Sequence, residues 1–120
     1  MNLTKMMERI KKHADFDKVG MILCHNGIVR ATSRDGRKVN GLRISVDHKK
    51  LDRIISAQKQ KSGIIDIQVE IAENKDLEVG DDVMFLVVAG DIRENVIDVL
   101  TETLNAIKTS VTDKTEYYLQ

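Results

Sequence analysis

The side chains best placed to do chemistry in this 120-residue sequence are cations: Lys108 and Lys114 within "LNAIKTSVTDKTEYY", Arg30 at the end of "HNGIVR", and Arg93 in "GDIREN". An ammonium beside a reacting centre stabilises developing negative charge. A neutral lysine can also attack an acyl carbon or move a proton. A free lysine titrates near about 10.4, so the neutral form requires burial or neighbouring cations. A guanidinium offers paired donors suited to a phosphate or carboxylate. Each position also has a plain reading as a solvated surface charge. Lys108 at a helix C-terminus is favoured by the helix dipole whether or not it reacts, whereas Arg93, in a first helical turn, gains nothing from it.

Other chemistries lack their residues. The sequence contains no glycine-rich phosphate loop with its lysine and hydroxyl, no dinucleotide fingerprint and no closely spaced Cys/His set, so neither a metal nor a cofactor is expected. His13, His25 and His48 are widely separated in sequence. Cys24 follows "MIL" in an expected strand and reads as a small buried hydrophobe. With one cysteine no intrachain disulfide can form, which fits a reducing compartment.

Lysine plus arginine equal aspartate plus glutamate at 19 each. That balance argues against a general nucleic-acid binder while leaving room for a local cationic patch, such as the loop "RATSRDGRKVNG". The amino terminus has no apolar leader pattern and no run reaches membrane-spanning length. The expectation is a soluble cytoplasmic protein forming a single domain over residues 1–120.

The elements that must position these cations follow from periodicity. Residues 4–13 place Met6, Met7 and Ile10 at helical spacing, giving a short peripheral helix. "KVGMILCHNGIVR" reads as a strand bent near Gly27, and "VNGLRISV" as a strand with Leu42, Ile44 and Val46 on one face. Asp47 is placed to cap a helix over 48–62 with the stripe Leu51, Ile54 and Ile55. "GIIDIQVEIA" alternates, with Ile65, Ile67, Val69 and Ile71 opposite Asp66, Gln68 and Glu70. "EVGDD" is a turn, "VMFLVVA" a central strand, and residues 92–108 a long helix with Ile92, Val96, Val99 or Leu100, Leu104 and Ile107 as its stripe. The order predicts an α+β sandwich with helices covering one face of a mixed or antiparallel sheet.

These pieces, in order, resemble the large, catalytic subunit of molybdopterin synthase over about residues 19–118. "HNGIVR" is similar to that family's strand-end segment with Gly and Arg; "LEVGDDVMFLVVAGDIR" resembles its turn and apolar strand, and "ENVIDVLTETLNAIK" its helix ending in a catalytic lysine. Ile92-Arg93 stands where the family has a His-Arg pair, and Lys114 lies one residue nearer to Lys108 than the family's second lysine, without its aromatic neighbour. The resemblance implies a hammerhead-like α/β fold and a homodimer flanked by small ubiquitin-like sulfur-carrier subunits. It also implies sulfur transfer, in two rounds, from the carrier's terminal thiocarboxylate to cyclic pyranopterin monophosphate, forming the molybdopterin dithiolene. Lys108 and Lys114 are then the catalytic residues, and Arg30 and Arg93 bind substrate. The alternative is a noncatalytic carrier-binding or structural homodimeric module.

Overall fold

Apolar β-branched runs and capped amphipathic helices build two three-stranded sheets joined end to end. A computed structural model of the chain describes residues 1–119. Helix α1 (Leu3–Lys11) leads through a short 3-10 turn (Phe16–Lys18) to β1 (Met21–Ile28), then β2 (Val39–Val46) and α2 (His48–Lys59). There follow β3 (Ile64–Ile71), the two-residue β4 (Leu77–Glu78), β5 (Asp82–Gly90), α3 (Arg93–Ala106), a π-helical turn (Ile107–Val111) and β6 (Thr112–Tyr118).

The first sheet has the order β1-β5-β3 and the second β4-β2-β6, and all their pairings are antiparallel. Strand β5 is the centre of the first sheet because it is apolar on both sides. Leu86 and Val88 face α3, whose Val96 and Val99 close one core with Ile64 and Ile67. Phe85, Val87 and Ala89 face the other way and are covered by Met6 and Ile10 of α1. Helices therefore cover both faces of this sheet rather than one. The reason lies in α1: Asn2 caps it, its side chain accepting from the Lys5 amide at 3.0 Å, and Arg9 donates to Gln68 at 2.8 Å and to Glu70 at 3.0 Å. The polar side of β3, with Gln68 and Glu70, is the anchor of the first helix.

The strands and helices that were predicted otherwise keep close to their expected bounds, with local corrections. A register shift leaves Ile65 as an extra residue in β3, so Ile64 replaces it beside Ile67 in the core. The bend near Gly27 is a register shift between Gly27 and Ile28. Ile92 precedes α3 and is 53% exposed, outside the helix stripe. Cys24 is exposed on the edge strand β1; its sulfur rests 3.6 Å from the Met7 sulfur, and the partial desolvation pushes the thiol pKa up. Gly80 takes a positive φ of 94° in the predicted turn.

The sheets meet where β1, β3 and β5 run out. Val29, Ala72 and Leu77 pack with Leu42 and Ile44 of β2, while Leu51, Met84, Ile107 and Val111 form an adjoining cluster. A backbone bond from Asn74 to Ile44 at 2.7 Å and another from Asp47 to Val111 at 2.9 Å stitch the junction. No helix among the described residues is long and apolar enough to cross a membrane.

Candidate active site

Lys108 is delivered by the way α3 ends. No glycine or proline stops this helix; it widens into the π-helical turn "IKTSV". Ile107 and Val111 remain fully or almost fully buried, and the intervening Lys108, Thr109 and Ser110 are turned outward. Widening a helix leaves carbonyls short of partners, and the hydroxyls of "TSVT" supply them. Thr109 donates to the Asn105 carbonyl at 2.9 Å, Ser110 to Ala106 at 2.8 Å, and Thr112 to Ile107 at 3.4 Å.

Lys114 arrives from the second sheet. The stretch "TDKTEYY", to which the periodicity assigns no element, is strand β6, which pairs with β2 so that Lys114 stands opposite Ile44. Threonines and tyrosines carry the strand propensity, and β2 supplies the apolar partner face. Lys114 Nζ lies 3.7 Å from Glu116 Oε1, whereas Lys108 forms no ion pair among the described residues.

The arginines come from the loop between β1 and β2. Arg30 Nε donates to the Thr32 carbonyl at 2.8 Å. Beyond it an isolated bridge joins Thr32 to Lys38, and the Ser33 hydroxyl bonds the Asp35 carboxylate. The Arg37 amide donates to Ser33 Oγ at 3.2 Å and to Asp35 Oδ1 at 3.3 Å. The Ser33 hydrogen bond, followed by that from the Arg37 backbone, holds the Asp35 carboxyl below its usual range. The Arg37 guanidinium stacks 3.6 Å from the centre of the Tyr118 ring. The tip that carries Arg34 is thereby fastened to β6, the strand that carries Lys114.

These groups surround two adjoining cavities at the sheet junction. The larger, about 590 Å³, has apolar walls that include Leu42, Ile44, Ile71 and Met84, and polar groups His25, Arg34, Lys108 and Lys114. The smaller, about 260 Å³, is lined by Arg30, Arg34, Lys108 and Lys114 with Glu116 as its one carboxylate. Both lysines and Arg34 belong to both, so the cavities form one cleft with an apolar end and a cationic end. Such a cleft suits a flat heterocycle bearing an anionic group. No group of three or more carboxylate, cysteine or histidine side chains that could hold a metal occurs among the described residues.

Three of the four expected site residues converge: Lys108, Lys114 and Arg30. Arg93 does not join them within the chain. It sits at the opposite end of α3, roughly 20 Å from Lys108 along the helix axis, and its Nε lies 3.6 Å from Glu94 Oε1 on the surface. Two cleft residues were not singled out from sequence. Arg34 was legible only as one of several loop cations. His25 lies two residues before Gly27 on the same face of β1, and its signal was that alternation alone. Burial, and then the charge of Lys108, lowers the His25 pKa, so its imidazole is neutral at pH 7.

The two end-to-end antiparallel sheets, with helices on both faces of one and a cleft lined by lysines and arginines at their junction, define an α+β protein with a cationic cleft. The MoaE protein family model matches residues 1–110, and the chain belongs to that family. Its role is accordingly that of the molybdopterin synthase large subunit in molybdenum cofactor biosynthesis. The fold is shared with molybdopterin synthase from Staphylococcus aureus, at 20% identity and a TM-score of 0.81, covering 100% of this chain and 87% of that one. It is shared also with a molybdopterin biosynthesis MoaE protein from Burkholderia ambifaria, at 15% identity, a TM-score of 0.75, and 98% and 83% coverage. A complex of subunits 1 and 2 of the molybdopterin-converting factor from Helicobacter pylori contains a similar chain, at 15% identity, a TM-score of 0.71, and 100% and 85% coverage. A search of curated proteins returns no match.

Proposed function

We propose that this chain carries out sulfur transfer itself, from the thiocarboxylate tail of a small ubiquitin-like carrier to cyclic pyranopterin monophosphate, in a cytoplasmic setting. The observation that carries the reading is the convergence of Lys108, Lys114, Arg30 and Arg34 on one cleft with an apolar end. The pterin ring packs against Leu42, Ile44 and Met84, and its phosphate takes bidentate hydrogen bonds from the arginines. Lys108, without a competing carboxylate, stabilises the negative charge that develops as sulfur leaves the carrier's acyl group. Lys114, shared with Glu116, assists. The pairing of subunits 1 and 2 in the Helicobacter pylori complex supports a carrier partner here.

Arg93 enters this reading through a second copy of the chain. Its surface position, far from its own cleft, fits a homodimer in which it reaches the other copy's substrate. The decisive experiment is reconstitution: purified chain, thiocarboxylated carrier and pyranopterin precursor, with dithiolene-containing pterin measured as its oxidised fluorescent derivative. Product is expected. The second reading, a noncatalytic carrier-binding module, draws on Ile92, an exposed apolar side chain where the resembled pair has histidine. Carrier binding without product would establish that reading instead.

A further inference from the structure

A pterin ring presents N–H donors as well as acceptors, and most polar side chains around the cleft cannot receive a donor. Arg34, Lys108 and Lys114 only donate. The larger cavity, where the apolar walls stand, has no carboxylate in its lining, and Glu116 belongs to the smaller one. His25 Nε2 is closed to water. The hydroxyls of Thr109 and Thr112 are turned onto main-chain carbonyls, that of Thr109 to Asn105 at 2.9 Å and that of Thr112 to Ile107 at 3.4 Å.

Asn105 remains. It stands in the last turn of α3, is exposed, and lines the larger cavity. The Thr109 hydroxyl takes its main-chain carbonyl, while its side-chain amide makes no hydrogen bond among the described residues. Positions three and four apart share a helix face, so the helix that delivers Lys108 presents Asn105 on the same side. A side-chain amide offers a carbonyl acceptor and two N–H donors from one rigid plane. That pattern answers a heterocycle edge on which donor and acceptor atoms alternate. In a cavity with apolar walls, a few such groups fix the orientation of what binds.

We propose that Asn105 is a specificity-determining residue whose side-chain carbonyl accepts a hydrogen bond from a ring N–H of the heterocycle bound in the cleft. This rests on the pterin-binding reading of the cleft and adds ring recognition to it. The work is then divided: the cations hold any phosphate, and Asn105 separates a pterin phosphate from the rest. One neutral hydrogen bond corresponds to roughly two- to tenfold in affinity.

The test measures binding of cyclic pyranopterin monophosphate by calorimetry, binding of inorganic phosphate by competition with it, and conversion with thiocarboxylated carrier. The quantity read is the ratio of pterin affinity to phosphate affinity, which cancels any change in the cationic field. Asn105→Leu keeps the size of the side chain and removes its acceptor. At an exposed position it should leave the urea midpoint in place. It is expected to lower the ratio about three- to tenfold and to raise KM in step, with kcat changed by less than twofold. Asn105→Asp keeps the acceptor and makes it stronger, so the ratio should stay at or above the wild-type value even if the added charge weakens both ligands. The proposal is overturned if the Leu variant keeps the ratio within 1.5-fold of wild type, or if the Asp variant lowers it as far as Leu does. Pterin binding that depends on Asn105 without conversion would refute sulfur transfer and leave the contact standing. No pterin binding by the wild-type chain would refute both.

Discussion

Replacing Lys108 by methionine keeps most of the apolar stem of the side chain and removes the terminal ammonium. A unit charge about 4 Å from a developing negative charge contributes roughly 1 kcal/mol in water and roughly 4 kcal/mol at an effective dielectric of 20. The cleft is open on one side and walled by Leu42, Ile44 and Met84 on the other, so the relevant value lies toward the upper figure. That corresponds to a loss of about 10²–10³ in rate. Lys114 faces the same space but shares its charge with Glu116 at 3.7 Å, and Lys114→Met is expected to cost only about tenfold. The assay is single-turnover formation of dithiolene pterin with saturating thiocarboxylated carrier, which isolates the transfer step from binding. Lys108 is exposed, so its urea midpoint should not move, and carrier affinity checks that the cleft is intact. A Lys108→Met variant within threefold of wild type would refute the assignment. A Lys114→Met variant slower than Lys108→Met would refute the argument from the ion pair.

The position of Arg93 makes a complementation test decisive: Arg93→Ala and Lys108→Ala chains, each inactive alone, should regain roughly a quarter of wild-type activity when unfolded and refolded together as an equal mixture, because half the dimers then contain one intact site. No recovery would place both residues' roles in one chain and remove the dimer from the mechanism. Tyr118→Ala releases Arg37 and with it the loop tip holding Arg34, so KM for the phosphorylated substrate should rise about two- to fivefold while Tyr118→Phe, which keeps the ring face, stays near wild type. Equal effects of both variants would show that the hydroxyl, not the stack, matters. His48 is expected to titrate high: its hydrogen bond to Glu73 at 2.8 Å, and then that carboxylate's charge, raise its pKa above the ordinary 6.5. The pair therefore stabilises the fold fully below pH 6.5 and loses that contribution as pH rises through the raised value. An NMR titration should place the His48 midpoint above that of His25, and Glu73→Gln should bring it down; a His48 midpoint at or below that of His25 would contradict the geometry.

What sequence could reveal here was local. Alternation in "VNGLRISV", the Asp47 cap and the apolar run "VMFLVVA" each predicted an element that the structure contains, since each depends on residues within one turn or one strand. The position of α1 was not legible, because it depends on Arg9 meeting Gln68 and Glu70, about sixty residues away. Strand β6 was missed for a related reason. "TDKTEYY" has no apolar alternation of its own and becomes a strand through pairing with β2. Among the site residues, Lys108 and Arg30 were legible as chain-end cations of regular elements, while His25 was hidden in an apolar strand and Arg34 among its fellow loop charges. Arg93 shows the converse: a residue can sit in the right sequence pattern and, in one copy of the chain, face away from the cleft.

The six-residue interval between the two lysines, which reads as a fixed spacing in sequence, is not the quantity that brings them together. From Lys108 the chain completes a wide π-helical turn whose hydroxyls satisfy the last carbonyls of α3, and only then enters a strand. Lys114 is placed by register: it stands opposite Ile44, and paired residues of antiparallel strands project to the same side, so both line the cleft. Lys108 is placed instead by Ile107 and Val111, which sink into the cluster with Leu51 and Met84. One amine is thus fixed by the second sheet and the other by the end of the helix on the first. Their separation is a property of the junction between the sheets, held by the apolar cluster and by the Asp47 to Val111 bond. An insertion or deletion of one residue in the linking turn can be absorbed by the width of that turn, provided the strand register and the two buried anchors are kept. The shortened interval in this chain is therefore compatible with a working pair of amines, and the geometry that matters is the pairing of β6 with β2.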